Sequence, residues 1–146
     1  MSKISVLLAD DHSIIRQGLK QILELEKDIF VVAQASNGDE AIKLARELKP
    51  DVILMDINMP GINGLQAINT LKQEKNPSKI IVLTVHEDRE YLFKTIQMGA
   101  EGYVLKDAEP DVLIDAIRNV YAGQSYIQAS MTKELVKEFN RITLNE

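Results

Sequence analysis

The chain contains no cysteine. Disulfide staples, thiolate metal sites and a thiol nucleophile are therefore excluded. Only two histidines are present, so a metal site would have to be built mainly from oxygen ligands. No apolar run is long enough for a signal-peptide core or a membrane span; the first, Ile4 to Ala9, gives way at once to Asp10 and Asp11. There is no dense Lys/Arg cluster, and the net charge is −5 with a pI near 5.1. A surface for DNA or RNA normally needs a basic patch, so this stretch of chain is not expected to hold nucleic acid itself. Internal repeats and low-complexity segments are also missing. What remains is ordinary for a soluble, cytoplasmic globular protein. Its 146 residues, 45% hydrophobic and 27% charged, suit one compact domain with a short extension.

Short β-branched runs alternate with amphipathic patterns. The runs are Ile4 to Ala9, Phe30 to Ala35, Val52 to Met55, Ile80 to Val85 and Gly102 to Leu105. Most are continuously apolar, as in strands buried on both faces of a parallel sheet. Between them, helical stripes are set by Ile15, Leu19, Ile22 and Leu23, by Ala41, Leu44, Ala45 and Leu48, and by Leu65, Ile68 and Leu71. A fourth helix covers Leu92 to Met98, and a fifth carries Val112, Leu113, Ala116, Ile117 and Val120. Asn37 with Glu40 forms an N-cap pair, and Pro110 suits a first helical turn. Lys49-Pro50, Asn76-Pro77 and Met98-Gly99 mark helix ends. Five βα units in succession predict a doubly wound α/β fold with a five-stranded parallel sheet. Its strand order is expected to be the flavodoxin-like 2-1-3-4-5. Gly123 ends the fifth helix, and Thr132 to Phe139 reads as one extra short, charged helix. The expected division is a domain over 1–123 and a linker extension over 124–146.

In such a sheet, ligands bind beyond the carboxyl ends of the strands. Those ends carry Asp10-Asp11, Asp56, Thr84 and Lys106. Three carboxylates gathered at one edge repel one another unless a cation lies among them, and oxygen donors favour Mg²⁺ or Mn²⁺. A lysine and a hydroxyl at the same edge complete a site for a phosphoryl group, with a carboxylate available to attack phosphorus. Singly, each residue has a plainer meaning. Asp10 and Asp11 read as helix caps, Asp56 as turn chemistry, Thr84 as a strand end, Lys106 as a surface lysine and Tyr103 as packing. His12 and His86 read as neighbours of the site rather than ligands, and Asp51 and Asp88 as solvated or capping residues.

The segments LLADDH, DVILMDINMPGINGL, IIVLTVH and GAEGYVLKD resemble the receiver domains of two-component response regulators, in the NarL/FixJ-like subclass. The resemblance runs through essentially the whole chain from Ile4. It implies that Asp56 takes a phosphoryl group from a sensor histidine kinase. It implies metal ligation by Asp11 and Asp56, by the backbone carbonyl of Asn58, and by Asp10 through water. Lys106 would pair with a phosphoryl oxygen, Thr84 would turn toward it, and Tyr103 would change rotamer in response. Asn58 and His86 would tune the lifetime of the phosphoryl group, and Pro60 and Gly61 would shape the loop after Asp56.

Where many receivers have proline after the lysine, this chain has Asp107; a cis bond there would cost about 3 kcal/mol, so trans is expected. The resemblance also implies dimerisation on activation and a C-terminal helix-turn-helix DNA-binding domain outside this sequence; the alternative is a stand-alone receiver signalling to another protein. Two other functions are disfavoured by particular residues. A turnover phosphatase would carry a second carboxylate where Asn58 stands. A dinucleotide binder would have glycines where Asp10-Asp11-His12 stand.

Overall fold

The apolar runs pair side by side. In the computed structural model, which describes residues 3–84 and 89–144, they are β1 (Ile4–Ala9), β2 (Ile29–Ala35), β3 (Val52–Asp56), β4 (Lys79–Thr84) and β5 (Gly102–Leu105). The helices are α1 (Ser13–Glu24), α2 (Gly38–Leu48), α3 (Gly64–Gln73), α4 (Arg89–Gln97), α5 (Pro110–Tyr121) and α6 (Ala129–Leu144), with a two-residue β6 (Tyr126–Ile127) before α6. The order across the sheet is β2-β1-β3-β4-β5-β6, and every pairing is parallel. The expected 2-1-3-4-5 order is present. The sixth strand is an addition that the sequence did not announce, because two residues are too few to set a period.

Alternation within each run divides the core in two. Val6 and Leu8, Val52 and Leu54, Ile81 and Leu83, and Val104 face α1 and α5, where Leu23, Leu113 and Ile117 meet them. Leu7 and Ala9, Ile53 and Met55, Ile80 and Val82, and Tyr103 face the opposite side, where Ala41, Ala45, Ile68, Leu71 and Leu92 cover them. Fully burying each large side chain contributes roughly 1.5–3 kcal/mol. Right-handed crossovers put helices on both faces and bring all strand carboxyl ends to one edge.

Local chemistry starts and stops the helices. Asn37 accepts from Glu40 N at 2.9 Å, as the sequence predicts. A full capping box, Asn63 with Gln66, opens α3. Pro110 lies in the first turn of α5. The chain leaves α5 through Gly123 at φ +94°, a conformation that other residues rarely adopt. The Lys106–Asp107 bond is trans, as expected.

The tail departs most from expectation. α6 runs through Ala129–Leu144, longer than the segment read from the sequence. Met131 is fully buried in the core shared with Tyr103 and Leu92, and α6 packs along α4. Asp51 is not a solvated residue either: it is half-buried and accepts from Ser5 N at 2.9 Å and Ser5 Oγ at 3.0 Å, tying β1 to the start of β3.

Candidate functional site

Parallel register places the strand-end residues beside one another. Ala9 pairs with Met55, Asp56 with Leu83, and Thr84 with Leu105. Asp10, Asp56 and Lys106 therefore converge at the carboxyl edge. Lys106 Nζ donates to Asp56 Oδ2 at 2.7 Å and lies 2.9 Å from Asp10 Oδ2. The first is a hydrogen bond. The second is an ion-pair contact without hydrogen-bond alignment, leaving Asp10 Oδ2 buried with no such bond.

The loops hold these carboxylates in fixed poses. Asp10 N donates to Ala35 O at 3.0 Å, extending the β1–β2 ladder by one step. Its Oδ1 accepts from His12 N at 2.8 Å, a turn in which the aspartate bends the chain into α1. Asp56 Oδ1 accepts from Asn58 N at 2.9 Å, which leaves the Asn58 side chain exposed at the rim. Gly64 lets α3 begin against this loop: a Cβ there would stand 2.3 Å from the Asp56 carbonyl oxygen.

Burial sets the electrostatics. Asp10 and Asp56 are each only 1% exposed, while Asp11 and His12 lie at the surface. Burial pushes the Asp56 carboxyl above its ordinary value, against the opposing pull of Lys106 and Asn58 N. Burial also works against the Lys106 ammonium, but its hydrogen bond to Asp56 and its ion-pair contact with Asp10 outweigh that, so its pKa is raised. Three carboxylates face one ammonium, so negative charge is in excess.

Asp10, Asp11, His12 and Asp56 present ligand atoms that all lie within 4.8 Å of one another. A set dominated by carboxylate oxygens, one of them buried without a hydrogen bond, suits a hard divalent cation. His12 Nδ1 lies 3.2 Å from Asp10 Oδ1 and 3.1 Å from Asp11 Oδ1, nearer the cluster than its sequence reading as a bystander suggested.

Thr84 is buried at the end of β4, and its carbonyl accepts from Lys106 N at 2.8 Å. Tyr103 is fully buried, on the α4 side of β5. His86 and Asp88 lie outside the described residues. Two positions were missed in the sequence. Arg16 donates to the Asp10 carbonyl and to Gln34 Oε1, a long-range pairing with no local signature. Gly64 was legible as the small residue following the Asn63 cap.

Residues 6–118 match the family model described as response regulator receiver domain. The transcriptional regulatory protein DegU of Brevibacillus brevis is 41% identical over 97% of this chain and 60% of its own length. The oxygen regulatory protein NreC of Staphylococcus haemolyticus is 42% identical over 93% of this chain and 63% of its own. The chain thus spans about three fifths of the length of these curated relatives. Among solved structures, a LuxR-family two-component response regulator from Aurantimonas is 33% identical with a TM-score of 0.88, covering 94% of this chain and 98% of that one.

Proposed function

This chain belongs to the response regulator receiver family, in its NarL/LuxR-like branch, and from that premise we propose that Asp56 is the phosphoacceptor of a signalling switch. The observation that carries the reading is a buried Asp56 bonded to Lys106 within a cluster of carboxylates at the carboxyl edge of a parallel sheet. An oxygen of Asp56 attacks phosphorus; the bond from phosphorus to the donor breaks, and the donor keeps the electron pair. The donor is a phosphohistidine of a sensor kinase or a small acyl phosphate. Asp11, Asp56 and the Asn58 carbonyl, with Asp10 through water, would hold Mg²⁺ or Mn²⁺, which would neutralise the crowded carboxylates and the incoming phosphoryl oxygens. Lys106 leaves its bond with the Asp56 carboxylate to pair with a phosphoryl oxygen. Thr84 donates its hydroxyl to the same group, and Tyr103 follows on the α4 side of β5. Such a reaction needs positioning and charge more than further covalent chemistry.

The role is a switch rather than a turnover enzyme, because Asn58 offers no carboxylate to activate water two residues past Asp56. Activated copies pair as homodimers in the cytoplasm, and DNA is reached through an output domain in the portion of the relatives' length that this chain does not span. A stand-alone receiver acting on another protein remains the second reading. Among the described residues, no helix is long and apolar enough to cross a membrane. With Mg²⁺ and a small phosphodonor, intact-mass measurement should find one added phosphoryl group. Asp56→Asn and excess chelator should each abolish it. Unchanged uptake by Asp56→Asn would refute the proposal.

A further inference from the structure

The short β6 and the helix after it are joined to the site by one side chain. In the β5–β6 ladder, Tyr126 N donates to Glu101 O at 2.9 Å and Gln128 N donates to Tyr103 O at 3.1 Å. Continued in steps of two, this parallel pattern makes the Gln128 carbonyl the next acceptor, for Leu105 N. The chain turns into α6 instead, and the Gln128 carbonyl accepts from Met131 N at 2.8 Å. Leu105 N is not orphaned: it donates to the Gln128 side chain, Oε1, at 2.8 Å. A half-buried side-chain amide thus stands in for the backbone acceptor that the helix has taken.

We propose that Gln128 is a positioning residue that couples the Asp56 site to α6. The inference rests on the phosphoacceptor reading of Asp56. Leu105 immediately precedes Lys106, whose own N–H is held from the other side by the Thr84 carbonyl. The backbone carrying Lys106 is therefore clamped between β4 and Gln128. Tyr103, on the same strand, is bonded to Gln128 through its carbonyl. A shift of Lys106 toward a phosphoryl group pulls on the residue that opens α6. Met131, one turn on, sits in the core beside Tyr103 and Leu92, so the pull reaches a packed helix.

Hydrogen–deuterium exchange on the full 146-residue chain tests this, with and without Mg²⁺ and beryllofluoride. Gln128→Leu keeps the bulk and loses the acceptor; Gln128→Glu keeps an acceptor oxygen. Wild type and Gln128→Glu should change protection both around Asp56 and in α6. Gln128→Leu should keep the change around Asp56 and lose the one in α6. An α6 response in Gln128→Leu equal to wild type overturns the inference, as does a wild-type α6 that ignores a phosphorylated Asp56. If Gln128→Leu fails to fold, Gln128→Met replaces it with the same expected loss. Failure of wild type to take any phosphoryl group in the mass assay overturns the phosphoacceptor reading itself, and is thereby distinguished from a failure of coupling alone.

Discussion

Lys106 stands between two buried carboxylates that would otherwise face each other across the site. It offsets only part of their charge, so the unliganded site is held at a cost to stability. Burial raises the Asp56 carboxyl above its ordinary value, and the sign of the consequence follows. A carboxyl whose pKa is raised on folding destabilises the fold above that folded pKa. The penalty fades as pH falls through the folded pKa toward the unfolded one. Asp56→Asn should therefore raise the melting temperature at neutral pH, and the gap from wild type should narrow on acidification. Mg²⁺ should stabilise wild type, by about 2.7 kcal/mol at a hundredfold excess over its dissociation constant, and the Asn variant much less. Melting curves across pH and Mg²⁺ concentration check both; a lower melting temperature for Asp56→Asn at neutral pH contradicts the electrostatic account. At this scale the acids and Lys106 were legible because each follows an apolar run. Arg16 and Gln128 were not, since their partners lie far along the chain or on backbone atoms.

At the scale of elements, the site depends on how closely α3 starts against β3. Gly64 leaves no room for a methyl group beside the Asp56 carbonyl. Gly64→Ala should shift the Asp56 loop, lower stability by about 1–3 kcal/mol as overpacking does, and slow phosphoryl uptake as well. Urea unfolding and the phosphorylation rate measure the two effects; an unchanged rate would mean that the loop tolerates the shift. The limits of β1 to β5 were legible to within one residue. β1 and β5 have the limits read from sequence, while β2 and β4 begin one residue earlier, at Ile29 and Lys79, where ladder pairing extends past the run that marked them. The Asn63–Gln66 capping box has the same spacing as the Asn37–Glu40 pair and was legible by the same rule.

For the whole molecule, the residues past Gly123 decide where the receiver unit ends. Gly123 and the charged tail after it read as a linker over 124–146. Charge patterning shows the solvated side of a helix, but it does not reveal one methionine turned into the core. Met131 is fully buried there. Met131→Ala should cost about 2–5 kcal/mol of stability if the tail belongs to the folded unit. A cost near zero in denaturant unfolding would return 124–146 to the role of a detached linker.

The phosphoryl bond proposed at Asp56 can be trapped chemically. After reaction with a small phosphodonor and Mg²⁺, borohydride reduces an aspartyl phosphate to homoserine, and peptide mass mapping locates the change. The expected result is homoserine at position 56 alone, absent without Mg²⁺. Homoserine at Asp10 or Asp11, or a phosphoryl group on a hydroxyl side chain with Asp56 intact, would contradict the account.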